Sequence, residues 1–378
     1  MARWVRRVAI LAAVVVLLGL GTVASAQLLR RHVDQAIPHA DLFGPSAAPS
    51  ASPSPSPSAS PTPPPGAAIK GPLNILIVGL DTRETILSWL PHADTVMILH
   101  VTADLSRAYL TSLPRDLVVN VPAFAPAHFG GERTKLTNAM SFGSQVPGSS
   151  IPNPVQGFQL LAKVVSNYTG IARFDAGALL TFTGMRRLVD ALGGVDIYID
   201  QRIQSIHLQP SGRGRTACGG CANGYSGPRA TYDVGFAHLS GWQALDYARQ
   251  RYTAGADYTR TRHQRQLIVA ILAKVHQLDV LTNPVTLANI LGALGRTLIF
   301  DGRGYQPSDF GYALRKLQPE NITLVGLPGT SVYGGGGQYL GESLNAVQST
   351  YFAALRQDAL AAWVPGHPNL VNTAPRRP

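Results

Sequence analysis

The chain has 378 residues, enough for one large domain or two ordinary ones. It is basic, with 32 lysines and arginines against 21 aspartates and glutamates and a net charge of +11 at pH 7. Such a charge is typical of proteins that bind nucleic acid, a membrane surface, an anionic polymer or a phosphorylated substrate. Because 45% of the residues are apolar and only 14% are charged, the composition excludes a disordered basic tail.

The N-terminus carries the first structural signal, an uncharged run over 8–26 that follows a short basic tail, 1–7. At about 1.5 Å per helical residue this run spans roughly 28 Å, close to the hydrocarbon thickness of a bilayer. Arginines before the run favour a cytoplasmic N-terminus. We therefore predict a single-pass anchor in the cell membrane and an extracellular C-terminal body. The alternative is a cleaved signal peptide, since Ala24-Ser25-Ala26 has the small-x-small form of a cleavage site.

The composition of the sequence after residue 26 predicts how the rest of the chain is divided into segments. A juxtamembrane segment, 27–43, leads into a proline- and serine-rich stretch, 44–70, which we predict to be a disordered, extended spacer. We expect one folded domain over 71–360 and a flexible tail over 361–378.

Within the domain, apolar runs and glycine stops predict alternating strands and helices, and therefore an α/β fold: layered α-β-α with a central mixed sheet. A capping-box pattern at Ser240 and Gln243 predicts a helix start, and we expect that helix to fray before Tyr247 or Ala248. Asp257 is the predicted cap of a long helix that ends near Leu278. The strands are predicted at 73–80, 95–101, 107–113, 173–182, 195–199 and 322–327, and the other helices at 157–170, 183–194 and 342–357.

The only two cysteines, Cys218 and Cys221, form a C-x-x-C pair in a glycine-rich stretch. In an exported protein this pattern favours a local disulfide. Half of a zinc site is the alternative, with His207 or His238 as further ligands.

Two carboxylates follow or precede buried strands. Asp81 ends the first strand and Asp94 comes just before the second. Carboxylates at adjacent strand ends can converge on one Mg²⁺ beside phosphates. The alternative is that they cap helices or satisfy turns.

Two cations lie close to this predicted edge. Pro114 fixes the backbone so that Arg115 emerges just past a strand, where its planar fork suits a phosphate. Pairing with Asp116 at the surface is the alternative. Lys135 is a weaker signal of the same kind.

The densest positive charge lies in Tyr247–Gln266, where five arginines share the stretch with one carboxylate, Asp257. Arg249 and Arg251 share a face only if the chain is extended between them. Arg260 and Gln264 share a face near a helix N-terminus, which favours an anion. These groups predict a phosphate-binding pocket; the alternative is a solvated basic face.

Taken in order, these motifs resemble the LytR-CpsA-Psr family of bacterial cell-wall glycopolymer transferases, most closely over 73–274. The resemblance rests on GLDTRE, ADTVMIL, TSLPRD, KLTNAM, FTGMRRLVDALGGVDI and YARQR followed by DYTRTRHQ. It implies transfer of a glycan as a sugar-1-phosphate from a polyprenyl-pyrophosphate carrier to peptidoglycan, which forms a phosphodiester. Mg²⁺ or Mn²⁺ is the implied cofactor.

The resemblance also implies residue roles. Asp81 and Asp94 match the metal-associated aspartates, and Lys135 matches a site lysine. The positions that match pyrophosphate contacts are Arg83, Arg115, Arg249, Arg251, Arg260 and Gln264, of which Arg115, Arg249 and Arg251, with Asp94, are the expected catalytic residues. Phosphoryl transfer demands positioning and charge neutralisation more than a protein nucleophile, which agrees with this set.

One position departs from the family pattern, which has R-Q where this chain has His263-Gln264. We expect His263 to take the place of that arginine, because Asp257, Arg260 and Gln264 then stay in register. The alternative is that Arg265 replaces it from another helix face.

Three other functions compete. A nucleic-acid-binding regulator would explain the charge, but no helix-turn-helix is present and an exported body would not meet DNA, so we expect no nucleic-acid partner. A non-catalytic wall-polymer-binding module would not depend on Mg²⁺. Hydrolysis of the lipid pyrophosphate would place water where the acceptor hydroxyl attacks.

Overall fold

The computed structural model describes residues 37–44, 66–82, 86–278, 290 and 292–372. The predicted anchor over 8–26, most of the predicted spacer and Arg83 lie outside the described residues. Among the helices within the described ranges, none combines the length and the apolar character needed to span a membrane.

The described chain alternates short strands and helices. The strands are β1 (Leu73–Asp81), β2 (His92–Val101), β3 (Ala108–Leu113), β4 (Val118–Val121), β5 (Glu132–Lys135), β6 (Ala176–Thr181), β7 (Val195–Ile199), β8 (Ile203–Gln204), β9 (Thr216–Ala217), β10 (Tyr225–Ser226), β11 (Thr231–Tyr232), β12 (Gly235–Leu239), β13 (Leu298–Asp301), β14 (Ile322–Val325), β15 (Gly329–Tyr333) and β16 (Tyr339–Leu344). The helices are α1 (Leu136–Gly143), α2 (Pro154–Thr169), α3 (Phe182–Ala191), α4 (Gly241–Arg249), α5 (Ala256–Gln277), α6 (Pro307–Ala313), α7 (Val347–Arg356) and α8 (Leu360–Trp363).

A six-stranded mixed sheet in the order β13-β6-β1-β2-β3-β14 forms the centre of the fold. Strand β1 is antiparallel to β2 and parallel to β6, and β3 is antiparallel to β2. The predicted mixed α/β sheet is therefore confirmed.

Side chains alternate between the two faces of the sheet, as the period of a strand requires. From β1, Leu76 and Val78 belong to a core shared with Phe158 of α2 and Phe352 of α7. Leu73 and Ile75 belong to a second core that is packed against α5 and α6. A third cluster joins α3, α4, β7 and the middle of α5. Helices thus cover both faces, and each buried strand reads as a nearly continuous apolar run.

This topology gathers several strand ends at one edge of the sheet. Because β1, β3 and β6 run in the same direction and β2 runs against them, the ends of the first three meet the beginning of β2. Such an edge is where open α/β sheets bind ligands.

Several element bounds differ from the predictions. Helix α4 continues through Arg249 instead of fraying earlier, because Tyr247 and Ala248 are buried in the core and hold the last turn. Helix α5 has Gly255, in the left-handed conformation, as its N-cap, so the predicted capping role of Asp257 is wrong.

Near the C-terminus, Glu342 lies in β16 and not in the predicted closing helix, which begins at Val347. The described part of the predicted flexible tail is packed: Leu370 is buried and Asn372 N–H donates to Leu324 O at 2.9 Å. By contrast, Gln243 accepts from Ser240 N–H at 2.9 Å, as the capping box predicted.

Candidate functional site

A β-bulge places Asp94 at the ligand-binding edge. Gly79 pairs with Thr95 and Leu80 pairs with Ala93, so Asp94 is the extra residue of β2. Bulges often redirect a side chain beside a functional site. Asp81 ends the neighbouring strand, and the two carboxylates converge on the same edge as predicted.

Asp94 is buried and bound to Arg115, whose Nη1 donates to its Oδ1 at 2.6 Å. Burial alone would raise the pKa of Asp94, but the charges of Arg115, Arg260 and Arg249 and the hydrogen bond from Arg115 outweigh it and lower the pKa. Asp94 therefore stays ionised among three guanidinium groups.

Arg115 and Lys135 both lie close to Asp116, and together with Asp94 they form a cluster of charged side chains at this edge. The Nε of Arg115 lies 3.8 Å from Asp116 Oδ1, and Lys135 Nζ lies 3.6 Å from the same oxygen. The alternative pairing of Arg115 with Asp116 is thus present, but as the longer of two contacts. Lys135 reaches this point because it ends β5, which pairs with β4.

Arg249, the last residue of α4, lies at the same edge of the sheet, on the side of Asp81. Its Nη2 lies 3.6 Å from Asp81 Oδ1, and its guanidinium lies over the ring of Phe182, 4.4 Å from the centroid. Phe182 was not predicted as a site residue; its place directly after the end of β6 was the available signal. The backbone of Gln250 is extended, so the chain leaves the helix there and Arg251 is exposed to solvent.

A buried network anchors the end of α4. Asp246 accepts from Ser205 Oγ at 2.9 Å, from Tyr232 Oη at 2.8 Å and from Gln250 Nε2 at 2.7 Å. Burial raises the pKa of Asp246 more than these hydrogen bonds lower it. These hydrogen bonds connect Asp246 and Gln250 to Ser205, which follows β8, and to Tyr232 of β11. They therefore fix the position of the segment that carries Arg249 and Arg251.

Arg260 enters the cluster from the first turns of α5. Its Nη2 lies 2.7 Å from Asp257 Oδ1, and only 3% of its side chain is exposed. Burial lowers the pKa of Arg260 and raises that of Asp257, although the charge of each partner opposes the change. This buried pair is therefore only partly compensated for its lost hydration.

Several buried polar atoms at this edge have no hydrogen-bond partner among the described residues. They include Nε of Arg115, Nε of Arg260 and Oε1 of Gln264. Buried polar groups are nearly always satisfied in folded proteins, so the two arginine donors indicate a ligand that accepts hydrogen bonds, while the Gln264 oxygen is an acceptor that a ligand hydroxyl or water would satisfy.

An apolar cavity begins at the same edge. It lies between the sheet and helices α3, α4 and α5 and is partly open to solvent. Its lining is mostly hydrophobic and includes Ile77, Met97, Leu180, Met185, Leu245 and Leu267. The polar lining residues are Arg249, Gln264, Thr95 and Thr181. Small-molecule sites commonly have this arrangement of a few polar groups on an apolar wall.

The structure does not bring His263 to the cluster. Its side chain is fully buried, stacks on Tyr247 with ring centroids 4.2 Å apart, and bonds Asp200 Oδ1 through Nε2 at 3.1 Å. The prediction that it replaces the family arginine at the ligand is therefore wrong, because its position on α5 points it into the core. Arg265 is also buried and its Nε donates to Asn372 Oδ1 at 3.1 Å, so neither alternative lies in the cluster.

The remaining predicted residues are placed as follows. Cys218 and Cys221 are joined in a disulfide. Arg251 is close enough to Asp257 and Arg260 for its charge to affect their pKa values. Besides Asp257, the carboxylate local to the arginine-rich stretch, the fold brings Asp81, Asp94 and Asp116 to the arginines.

The fit of a divalent cation can be judged from these carboxylates. Within the described ranges, no group of three or more His, Cys, Asp or Glu side chains is arranged to hold a metal ion. Mg²⁺ seldom uses such a cage; it is usually bound by one or two carboxylates together with substrate phosphates and water. Asp81 and Asp94 supply oxygen ligands of the right kind and number, so these residues fit Mg²⁺ shared with a phosphate ligand.

The fold and this edge define an α/β protein with an arginine-rich cluster beside an apolar cavity. The model of the LytR_cpsA_psr family matches residues 47–355, which is most of the chain. The chain therefore belongs to the LytR_cpsA_psr family.

Two relatives illustrate the range of similarity. The chain is 27% identical over 318 residues to the cell wall biosynthesis protein LcpA of Corynebacterium glutamicum, across 78% of this chain and 57% of that protein. It is 25% identical over 259 residues to the polyisoprenyl-teichoic acid–peptidoglycan teichoic acid transferase TagU of Enterococcus faecalis, across 68% and 72% of the two chains. The chain thus spans little more than half of the longer relative.

Solved structures share the fold. Protein gbs0355 of Streptococcus agalactiae superposes with a TM-score of 0.59 at 19% identity, over 76% of this chain and 87% of that one. TagU of Bacillus subtilis gives 0.52 at 19% identity, over 77% and 97%. TagT bound to LI-WTA gives 0.51 at 20% identity, over 76% and 90%.

Proposed function

We propose that this protein transfers a glycopolymer, as a sugar-1-phosphate, from a polyprenyl-pyrophosphate carrier to peptidoglycan. The observation that carries the proposal is the joint opening of an arginine-rich cluster and an apolar cavity at one edge of the sheet. A lipid diphosphate is the ligand whose two halves match that pair. The names of the relatives, which describe cell-wall biosynthesis and teichoic acid transfer to peptidoglycan, support the same reaction.

In this proposal the diphosphate lies among Arg115, Arg249 and Arg260. The acceptor hydroxyl attacks the phosphorus that carries the sugar, a new P–O bond forms, and the P–O bond to the lipid phosphate breaks. The guanidiniums neutralise the charge on the phosphoryl oxygens and on the departing lipid phosphate. The lipid chain occupies the apolar cavity, which begins at Arg249.

We assign different tasks to the two aspartates. Asp94 has a lowered pKa and accepts a hydrogen bond from Arg115, so it holds that arginine in position. Asp81 is the more accessible carboxylate, with 36% of its side chain exposed against 10% for Asp94, and we propose that it accepts the hydroxyl proton. A bound Mg²⁺ or Mn²⁺ would supply further neutralisation of phosphate charge beside both carboxylates.

The test is a transfer assay with the purified 378-residue chain, a polyprenyl-diphosphate-linked saccharide, Mg²⁺ and peptidoglycan fragments. We expect saccharide to become covalently attached to the fragments. Arg115→Ala should reduce the rate by at least about 10²-fold, because removing one preorganised donor to a developing charge has an effect of this size.

Arg202→Ala is the matched control. Arg202 pairs with Asp233 at the surface with 65% of its side chain exposed, so its loss should leave the rate unchanged. Release of free saccharide phosphate without any attachment would indicate a hydrolase instead. Equal rates for the Arg115→Ala variant and the wild type would refute the role of the cluster.

A further inference from the structure

The hairpin formed by β15 and β16 projects a pair of exposed tyrosines beside the cluster. Tyr333 is 62% exposed and Tyr339 is 38% exposed, and their rings meet edge to face with centroids 5.9 Å apart. The turn between them contains four consecutive glycines, 334–337. A Cβ built on any of the last three would meet no other atom of the described structure within 4 Å, so the turn itself is open to solvent.

A buried carboxylate fixes the base of this hairpin. Glu342 accepts from Tyr339 Oη at 2.8 Å, from Ser331 Oγ at 2.9 Å and from Tyr258 Oη at 3.2 Å. Its own N–H donates to Asp116 O at 2.8 Å. The aromatic pair is thus held at a set position relative to α5 and to the loop that carries Arg115.

A series of contacts and electrostatic interactions leads from the cavity to these rings. Arg249 borders the cavity and acts on Asp94, which binds Arg115. Arg115 and Lys135 share Asp116, and Lys135 Nζ lies over the Tyr339 ring, 4.5 Å from its centroid. The series therefore runs from an apolar end, through the charged groups, to an exposed aromatic end.

We propose that the Tyr333–Tyr339 pair is a binding site for the saccharide of the lipid-linked donor; this inference rests on the proposed function. A donor of that class has the same sequence of chemistry: an apolar chain, a diphosphate and then sugars. Pyranose rings present C–H faces that stack on the electron-rich faces of aromatic rings, and an exposed tyrosine hydroxyl such as that of Tyr333 can bond water or sugar hydroxyls. Tyr333 supplies the exposed ring, and Tyr339 supports it between Lys135 and Glu342.

The test is equilibrium binding to the 378-residue chain in detergent micelles with three probes. They are a polyprenyl diphosphate that carries a disaccharide, the same lipid diphosphate without sugar, and soluble peptidoglycan fragments. We expect Tyr333→Ala to weaken binding of the first probe about three- to tenfold, as the loss of one aromatic contact does, and to leave the other two unchanged.

Two variants serve as controls. Tyr333→Phe keeps the ring and should bind the first probe as the wild type does. Tyr305→Ala removes another exposed tyrosine beyond the end of β13, at the opposite edge of the sheet, and should change nothing.

Three outcomes would overturn the inference alone: no effect of Tyr333→Ala on the first probe, an equal effect on the lipid diphosphate without sugar, or an effect confined to the peptidoglycan fragments. Failure of the wild type to bind either lipid diphosphate would overturn the proposed function and, with it, this inference.

Discussion

The two sides of helix α5 use the same residue types for different purposes. On one side, Arg260 contacts a buried carboxylate, Asp257, whose pKa is raised by its burial. On the other side, Arg262 and His263 contact Asp200 at 2.7 and 3.1 Å. Burial alone would raise the pKa of Asp200 too, but His263 and Arg262 lower it to about 2.

The difference separates a ligand site from a structural anchor. Asp200 is well stabilised as an anion, and its contacts hold α5 to the end of β7. The Asp257–Arg260 pair has lost hydration without full compensation, because burial raises the pKa of Asp257 and lowers that of Arg260 despite the opposite charge of each partner. A phosphate bound beside Arg260 would form charge-assisted hydrogen bonds that compensate for this lost hydration.

The largest effect should come from Asp94→Asn, which removes one charge and keeps the shape. Arg115 loses its 2.6 Å ionic contact, so we expect transfer to fall about 10²-fold or more. Without Mg²⁺, however, the variant should bind a lipid diphosphate at least as tightly as the wild type, since a negative charge has left an anion site.

Parallel measurement of transfer rate and binding checks this prediction. Near-normal transfer would show that Asp94 does not position the cluster, and loss of binding without Mg²⁺ would show that its role is structural.

A smaller effect should come from Asp200→Asn on the anchoring side. The pKa of Asp200 is about 2 in the fold against an ordinary value of 3.8, so its ionisation contributes stability above about pH 4 that is lost as the pH falls towards 2. We expect the variant to be about 1–2 kcal/mol less stable at pH 7, and the difference to disappear near pH 2.

Denaturant unfolding at several pH values measures this difference. Transfer by the folded variant should stay within about threefold of wild type, because an anchor acts through stability. A difference in stability that persists unchanged down to pH 2 would contradict the assignment of the lowered pKa.

Much of the fold was accessible from the sequence. Buried strands such as 73–80 were visible because both faces are covered, and Gly170 ended its helix in the left-handed conformation as predicted. Asp81, Asp94 and Arg115 were found because each lies at a strand end, and strand ends meet at one edge.

The rest depended on tertiary contacts. The sequence pattern placed both His263 and Gln264 at the predicted site. It could not show that the His263 side chain contacts Tyr247 and Asp200, whereas Gln264 lines the cavity. Similarly, Asp116 was recognisable as a neighbour of Arg115, but its contact with Lys135 depends on the fold. Glu342 is brought to Tyr258 by tertiary contacts, and nothing local to Glu342 indicates it. Phe182 follows a predicted strand, but only the fold places Arg249 over its ring.

The most direct test of the central claim compares Arg260→Ala with Arg262→Ala, two residues apart on one helix. The measurement is binding of a polyprenyl diphosphate to the folded fraction of each variant. We predict a loss of about tenfold or more for Arg260→Ala, as the removal of a charged hydrogen-bond donor implies, and a change within about threefold for Arg262→Ala. Equal losses in the two variants, or a greater loss for Arg262→Ala, would contradict the assignment of the diphosphate to the Arg260 side.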